Sequence, residues 1–332
     1  MTTSIKLSVF IVGALMLFAT ISPAIALASP ITAPAIDTAS INGSPTSSTS
    51  QNWSGYAVTG PTGSVTSAYG SWKVPFTTSP EPWSSTTYYE GNWVGMDGFK
   101  TGSTTVEQIG TLAESAGRST IYLAWFEFYP GPAYELVTST GAPAPVNPGD
   151  TIFASVTYGP VGASTFGDPS NTFGSPISAV VSPINSFISP SNALTSPSDA
   201  LTSPSNAFTS PSCEFTVTIY EKTQGWSFST SESVPDAQRS SAEWIVERPA
   251  TISDDVITFL PLADFHTVNY GYDGTGIWGT CYATLGWISR PLGSFDSAIQ
   301  SITMVTSAAI ATPSAISFDK TSFSDTWSRE YP

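Results

Sequence analysis

Short runs of aromatic and β-branched residues, each ended by Gly, Pro, Ser or Thr, limit what this chain can fold into. NWSGYAV, SAYGSWKV, NWVGMDG, TIYLAWFEFYP, DTIFASVTY, EFTVTIYEK, AEWIVERP, SAIQSITMV and AISFDK follow one another from Asn52 onward, and sustained helical periodicity is absent. Such runs read as the strands of an antiparallel sandwich or jelly roll. One segment departs from the pattern. From Asp168 the text runs DPSNTFG, SPISAVV, SPINSFI, SPSNALT, SPSDALT, SPSNAFT, ending at Thr209 before Ser210-Pro211. A seven-residue period suggests a coiled coil, but a proline in every unit forbids a continuous helix. Strand-like text resumes unchanged at EFTVTIYEK, so residues 168–211 read as an insertion inside one domain spanning 51–332.

The N-terminal stretch has a different character. Residues 1–28 carry Lys6, an apolar run from Leu7 to Ile21 and small residues ending Ala26-Leu27-Ala28, the layout of a cleaved secretory signal. Residues 29–50 are rich in Ser, Thr, Ala and Pro and read as a short propeptide or spacer. No later segment is apolar and long enough to span a bilayer. The expected product is secreted and free of the membrane.

Net charge is −15 and the sequence pI about 4.1. Nucleic acid is excluded as a partner, because it needs basic patches. Beyond residue 28 only four lysines, five arginines and His266 can turn positive, so self-repulsion in acid is capped. That scarcity of bases suits an acidic medium. An exported chain permits one disulfide between Cys213 and Cys281, although spacing alone establishes no pairing.

Several catalytic solutions fall away. A single histidine, His266 in ADFHTVNY, rules out HExxH zinc and histidine metal clusters and reads as structural. G-x-S-x-G, D-T-G, D-S-G and phosphate-cradling glycine loops do not occur. No metal and no cofactor are expected. What remains is carboxylates and amides among aromatics. On strands, alternate residues share a face. Trp125, Glu127 and Tyr129 then oppose Ala124, Phe126 and Phe128; Trp93, Gly95 and Asp97 form a second such face. Gln108 shares a face with Val106 and Gly110. In SAEWIVERPA, residues 241–250, Glu243, Ile245 and Glu247 oppose Ala242, Trp244 and Val246. Polar-plus-aromatic faces beside apolar ones fit a sheet that lines a groove. A glycoside hydrolase with two carboxyls or a lectin-like glycan binder would also use such a groove.

Taken in order, NWVGMDG, VEQIGT, AWFEFYP and AEWIVE resemble the motifs of the glutamic peptidases, or eqolisins, with NWSGYAV and PLADFHTVNY also fitting. The resemblance covers roughly Asn52 to Trp327, apart from residues 168–211. It implies a concanavalin-A-like sandwich of two antiparallel sheets and a secreted, acid-active endopeptidase acting on proteins or peptides, taken here as a monomer. The family's catalytic glutamine and glutamate fall on Gln108 and Glu247, and supporting groove residues on Trp93, Asp97, Trp125, Glu127 and Tyr129. Members often carry an acid just before the AW of the third motif, where this chain has Leu123. In these terms Glu247 is a general base for water and Gln108 a donor to the tetrahedral oxyanion. A carboxylate base suits acid because its reference pKa is about 4.3, where histidine is already protonated. Gln108 also speaks against the glycosidase, which wants a second carboxyl at that position.

Overall fold

A computed structural model of the chain describes residues 45–160, 180–183, 213–253, 256–272 and 279–329. The runs quoted above become strands, arranged in two layers. The first layer reads, in spatial order, β1 (Thr46–Ser50), β18 (Ile299–Val305), β2 (Trp53–Thr59), β12 (Ser241–Glu247), β4 (Thr87–Met96), β5 (Val106–Ala116), β6 (Ser119–Tyr129), β7 (Ala133–Val137) and β9 (Val180–Pro183). Neighbours run antiparallel except β1, which lies parallel to β18.

The second layer reads β11 (Trp226–Glu232), β10 (Cys213–Glu221), β8 (Thr151–Pro160) and β3 (Val65–Lys73). From β3 it continues through β15 (Thr267–Tyr270) to β20 (Phe323–Trp327) and β19 (Ala309–Pro313). A hairpin of β16 (Tyr282–Leu285) and β17 (Ile288–Pro291) also pairs onto β3. The layers join at a corner where β18 meets β19, with a register shift between Met304 and Val305. A separate hairpin, β13 (Ala250–Ser253) and β14 (Val256–Phe259), follows β12. The fold is thus almost wholly β, as the run pattern implies.

The main core lies between the layers. Trp244, Val246, Val94, Met96, Ile109, Phe126 and Phe128 of the first layer meet Trp72, Ile152, Val156, Phe215 and Val217 of the second. Two indoles also cross the interface as donors: Trp72 Nε1 to Thr111 Oγ1 at 3.1 Å and Trp244 Nε1 to Tyr69 O at 2.9 Å. The opposite face of the first layer holds a second buried cluster of Trp53, Trp93, Trp125, Leu112, Leu123, Ile245 and Ile302, with Leu260, Phe99 and Tyr129 packed against it. β12 is therefore buried along its whole length, whereas a strand with one wet face alternates.

Two segments carry strands that the run pattern did not mark, and the open question of a disulfide is answered. Thr46–Ser50, in the expected spacer, forms β1, because its backbone finds a partner in β18 despite lacking apolar side chains. Val180–Pro183, in the expected insertion, adds a strand to β7; the rest of 168–211 and the expected signal segment lie outside the described residues. No disulfide joins Cys213 to Cys281. Cys213 sits opposite Pro160 at one end of β8, whereas Tyr282, next to Cys281, pairs with Tyr69, which faces Ser155. Five residues along a strand amount to roughly 16 Å, far beyond the ~7 Å that a disulfide tolerates between Cα atoms.

Candidate active site

The second aromatic cluster floors a site whose polar groups come from four adjacent strands. Gln108 of β5 lies opposite Gly95 of β4 on one side and Glu127 of β6 on the other. Its Nε2 donates to Glu127 Oε2 at 2.7 Å, and its Oε1 has no partner among the described residues. Both side chains are buried. Glu247, the last residue of β12, lies opposite Trp53 of β2 and Gly91 of β4. Its Oε1 accepts from Asn52 Nδ2 at 3.1 Å and its Oε2 from Trp93 Nε1 at 2.8 Å.

The floor depends on glycines. A Cβ on Gly95 would lie 2.6 Å from Trp93 Cζ3, and one on Gly110 would lie 2.1 Å from Asn92 O. The Trp93 ring occupies the space that a side chain at 95 would take. That keeps the indole N–H at Glu247 and the ring edge-on to Trp53, with centroids 4.9 Å apart and planes at 76°.

Burial dominates the electrostatics. It pushes the Glu247 carboxyl up to about 8, against the opposing effect of Trp93, Trp53 and Asn52, which favour its charged form. Trp53 Nε1 is near enough to act on this carboxyl but is not aligned into a hydrogen bond. Glu127 is raised well above the carboxylate range, first by burial; the Gln108 hydrogen bond opposes this, and the charge of Glu247 adds to it. Glu127 and Glu247 therefore feel one another.

The remaining expected residues are distributed as follows. Trp93 and Trp125 are buried on the site face, and Trp125 lies opposite Gly110 and Glu135 with its Nε1 unpartnered among the described residues. Tyr129, half-buried, packs at the rim of the same cluster. Asp97 is elsewhere engaged. At a φ of 67° it leaves β4, and its carboxylate takes the backbone N–H groups of Arg239 at 2.5 Å and Ser240 at 2.7 Å. It fixes where β12 begins. Glu243 shares the Glu247 face, but neither of its oxygens is aligned into a hydrogen bond among the described residues, and burial, opposed by nearby Ser241, raises its pKa well above the usual range. His266 is exposed, with Nδ1 2.5 Å from Asp264 Oδ1. Among the described residues no three His, Cys, Asp or Glu side chains are grouped to hold a metal.

Asn52 and Trp53 acquire roles that their motif alone did not reveal. NWSGYAV is visible in the sequence, yet only the pairing of β2 with β12 brings these two residues to Glu247.

The profile of the peptidase A4 family matches residues 51–167 and 180–274. Among solved structures the chain is similar to Scytalido-glutamic peptidase bound to a peptide-based transition-state analogue. The TM-score is 0.53 at 19% identity, covering 84% of this chain and 98% of that one. It is also similar to SCP-B, a member of the eqolisin family, in complex with the tripeptide Ala-Ile-His, with a TM-score of 0.50, 18% identity, and 84% and 98% covered. No curated protein matches. At these identities the structural likeness carries the fold, and the profile, spanning more than half of the chain, carries the family. The chain belongs to the peptidase A4 family, the glutamic peptidases or eqolisins.

Proposed function

We propose that the chain is an exported acid endopeptidase in which Glu247 activates a water and Gln108 stabilises the oxyanion. Family membership makes it a glutamic-type peptidase with protein or peptide substrates, and the glycan-cleaving and glycan-binding alternatives fall with it. The observation that carries the residue assignment is the double donation to Glu247, from Asn52 and from Trp93. Two N–H donors select the carboxylate form, which a base requires. Burial opposes this. Admitting water to the groove relieves that desolvation, the largest cause of the upward shift, and lets the donors bring the carboxyl back toward the acid range.

Glu247 takes a proton from water while the oxygen attacks the peptide carbonyl carbon. The charge that develops on the carbonyl oxygen needs a donor already in place. Gln108 has one amide hydrogen committed to Glu127 and a second with no acceptor among the described residues, so its orientation is set before substrate arrives. One preorganised donor of this kind supplies roughly 2.7–4 kcal/mol. An amide also keeps its donor at every pH.

No helix among the described residues is long and apolar enough to cross a membrane. Export rests on the residue 1–28 signal pattern and the acidic, base-poor composition. The test is digestion of casein by the purified protein at pH 3, with and without a chelator, a serine reagent and a pepstatin-type inhibitor. Cleavage in acid that resists all three supports the reading. A requirement for zinc, or activity only above neutrality, would contradict it.

A further inference from the structure

Glu127 is placed to do more than hold Gln108. It lies directly opposite Gln108 in the ladder, is buried, and touches the amide through Oε2 at 2.7 Å. No cation compensates it: the one ion pair among the described residues joins His266 to Asp264. The titratable groups facing it are all acidic: Glu247 on β12, Glu135 on β7 and Tyr129 on its own strand. Glu247 receives two N–H donors, whereas Glu127 receives one. Of the two carboxyls, Glu247 is therefore the better placed to carry a negative charge and Glu127 the better placed to keep a proton. Burial and the neighbouring charge favour the same protonated form.

Resting on the assignment of Glu247 as the base, we propose that Glu127 is a second catalytic residue, the general acid that protonates the leaving nitrogen. Its Oε2 accepts from Gln108 as a carbonyl oxygen, which leaves Oε1 to carry the proton. An oxyanion held by the Gln108 amide shares its carbon with the scissile nitrogen. That places the nitrogen beside the carboxyl touching the same amide.

The proton count closes. Glu247 removes one proton from water as the new C–O bond forms and the carbonyl electron pair moves onto oxygen. Collapse of the tetrahedral carbon breaks the C–N bond. The departing nitrogen keeps the bond's electron pair and takes the Glu127 proton. Glu247 is then protonated and Glu127 ionised. One proton transfer from Glu247 to Glu127, directly or through a water, restores the starting state, with a carboxylic acid and an amine as products.

The test compares two substrates with one acyl group, a peptide amide and a p-nitrophenyl ester. Phenolate departs without a proton, whereas an amine cannot. Glu127→Gln keeps the acceptor for Gln108 and removes the proton. It should lower kcat on the amide by roughly 10²–10⁴, the usual range for a general acid, and change kcat on the ester by less than about tenfold. The descending limb of the amide pH profile at higher pH should vanish with it. Equal losses on both substrates would reduce Glu127 to positioning Gln108 and overturn the proposal, as would full activity on the amide. If the variant does not fold, Glu127→Asp, which keeps a carboxyl but withdraws it from the site, takes its place in the same comparison: a loss confined to the amide supports the assignment, and equal losses or full activity on the amide overturn it. Glu247→Gln separates the two claims, because loss of the base abolishes turnover of both substrates whatever Glu127 does.

Discussion

Each side chain in the site acts through what its neighbours leave room for, so single substitutions should have separable effects. Gln108→Ala removes the oxyanion donor and should cost roughly 10²–10³ in kcat with a small change in KM; steady-state kinetics on a peptide substrate check this. Gly95→Ala would put a methyl 2.6 Å from Trp93 Cζ3 and push the indole off Glu247. A displaced catalytic group of that kind costs on the order of 10² in turnover, so kcat should fall that far while the melting temperature drops by only a few degrees. Glu243→Gln is the contrasting case, on the Glu247 strand and face but with neither oxygen aligned into a hydrogen bond among the described residues and no assigned proton transfer. It should keep most activity in acid and raise the melting temperature at pH 7, where the wild-type side chain is pressed to ionise in a buried site. At this scale the sequence is legible where period two decides. It puts Gln108, Glu127 and Glu247 on buried site faces opposite Ile109, Phe126 and Val246. Asp97 shows the limit, because its strand ends at Met96 and the backbone turns its carboxylate onto the 239–240 amides.

Strand pairing explains why the remaining parts could not be read from the chain. Asn52 reaches Glu247 only because β2 and β12 pair across nearly two hundred residues of sequence. Nothing in the NWSGYAV run specifies that partner. TSSTS carries no apolar pattern, and β1 exists because the edge of β18 accepts it in parallel. β9 likewise takes its place from β7, which in turn borders the strand carrying Glu127. That relation sharpens what a deletion in the repeat segment should do. Replacing residues 184–211 with a Gly/Ser linker of about ten residues retains β9, and closure entropy depends only weakly on loop length. Peptide turnover should then stay within about twofold of wild type. Removing 168–211 entirely takes β9 away and bares the β7 edge, which invites association between chains. Turnover and size-exclusion elution of the two deletions distinguish these outcomes, and equal behaviour would show that β9 contributes nothing to the first layer.

Taken whole, the molecule buries Glu90, Glu107, Glu127, Glu243, Glu247 and Asp325, and among the described residues none of them has a cationic partner. Burial is the first cause of every upward shift among them, to about 8 for Glu90 and Glu247 and about 7 for Asp325. Apart from Glu247, whose N–H donors hold it ionised for the proposed catalysis, these groups keep protons in the folded chain that the unfolded chain releases near pH 4. Each such group leaves the fold at full strength in acid and subtracts about 1.4 kcal/mol per pH unit as pH climbs from there toward its folded value. The melting temperature should be highest below about pH 4 and fall steadily to pH 8, a trend that calorimetry across this range tests directly. Composition foreshadows the acid habit, because bases are scarce, but it cannot show which acids lie inside. The proposed catalysis and the expected stability then point to the same medium, and the proposal at their centre is that the charge on Glu247 drives the reaction. The most direct measurement is peptide turnover at acid pH by the wild type and by Glu247→Gln, with circular dichroism showing that both are folded. The account predicts that turnover vanishes in a folded variant; a folded Glu247→Gln protein that still cleaves the peptide at a substantial fraction of the wild-type rate would contradict it.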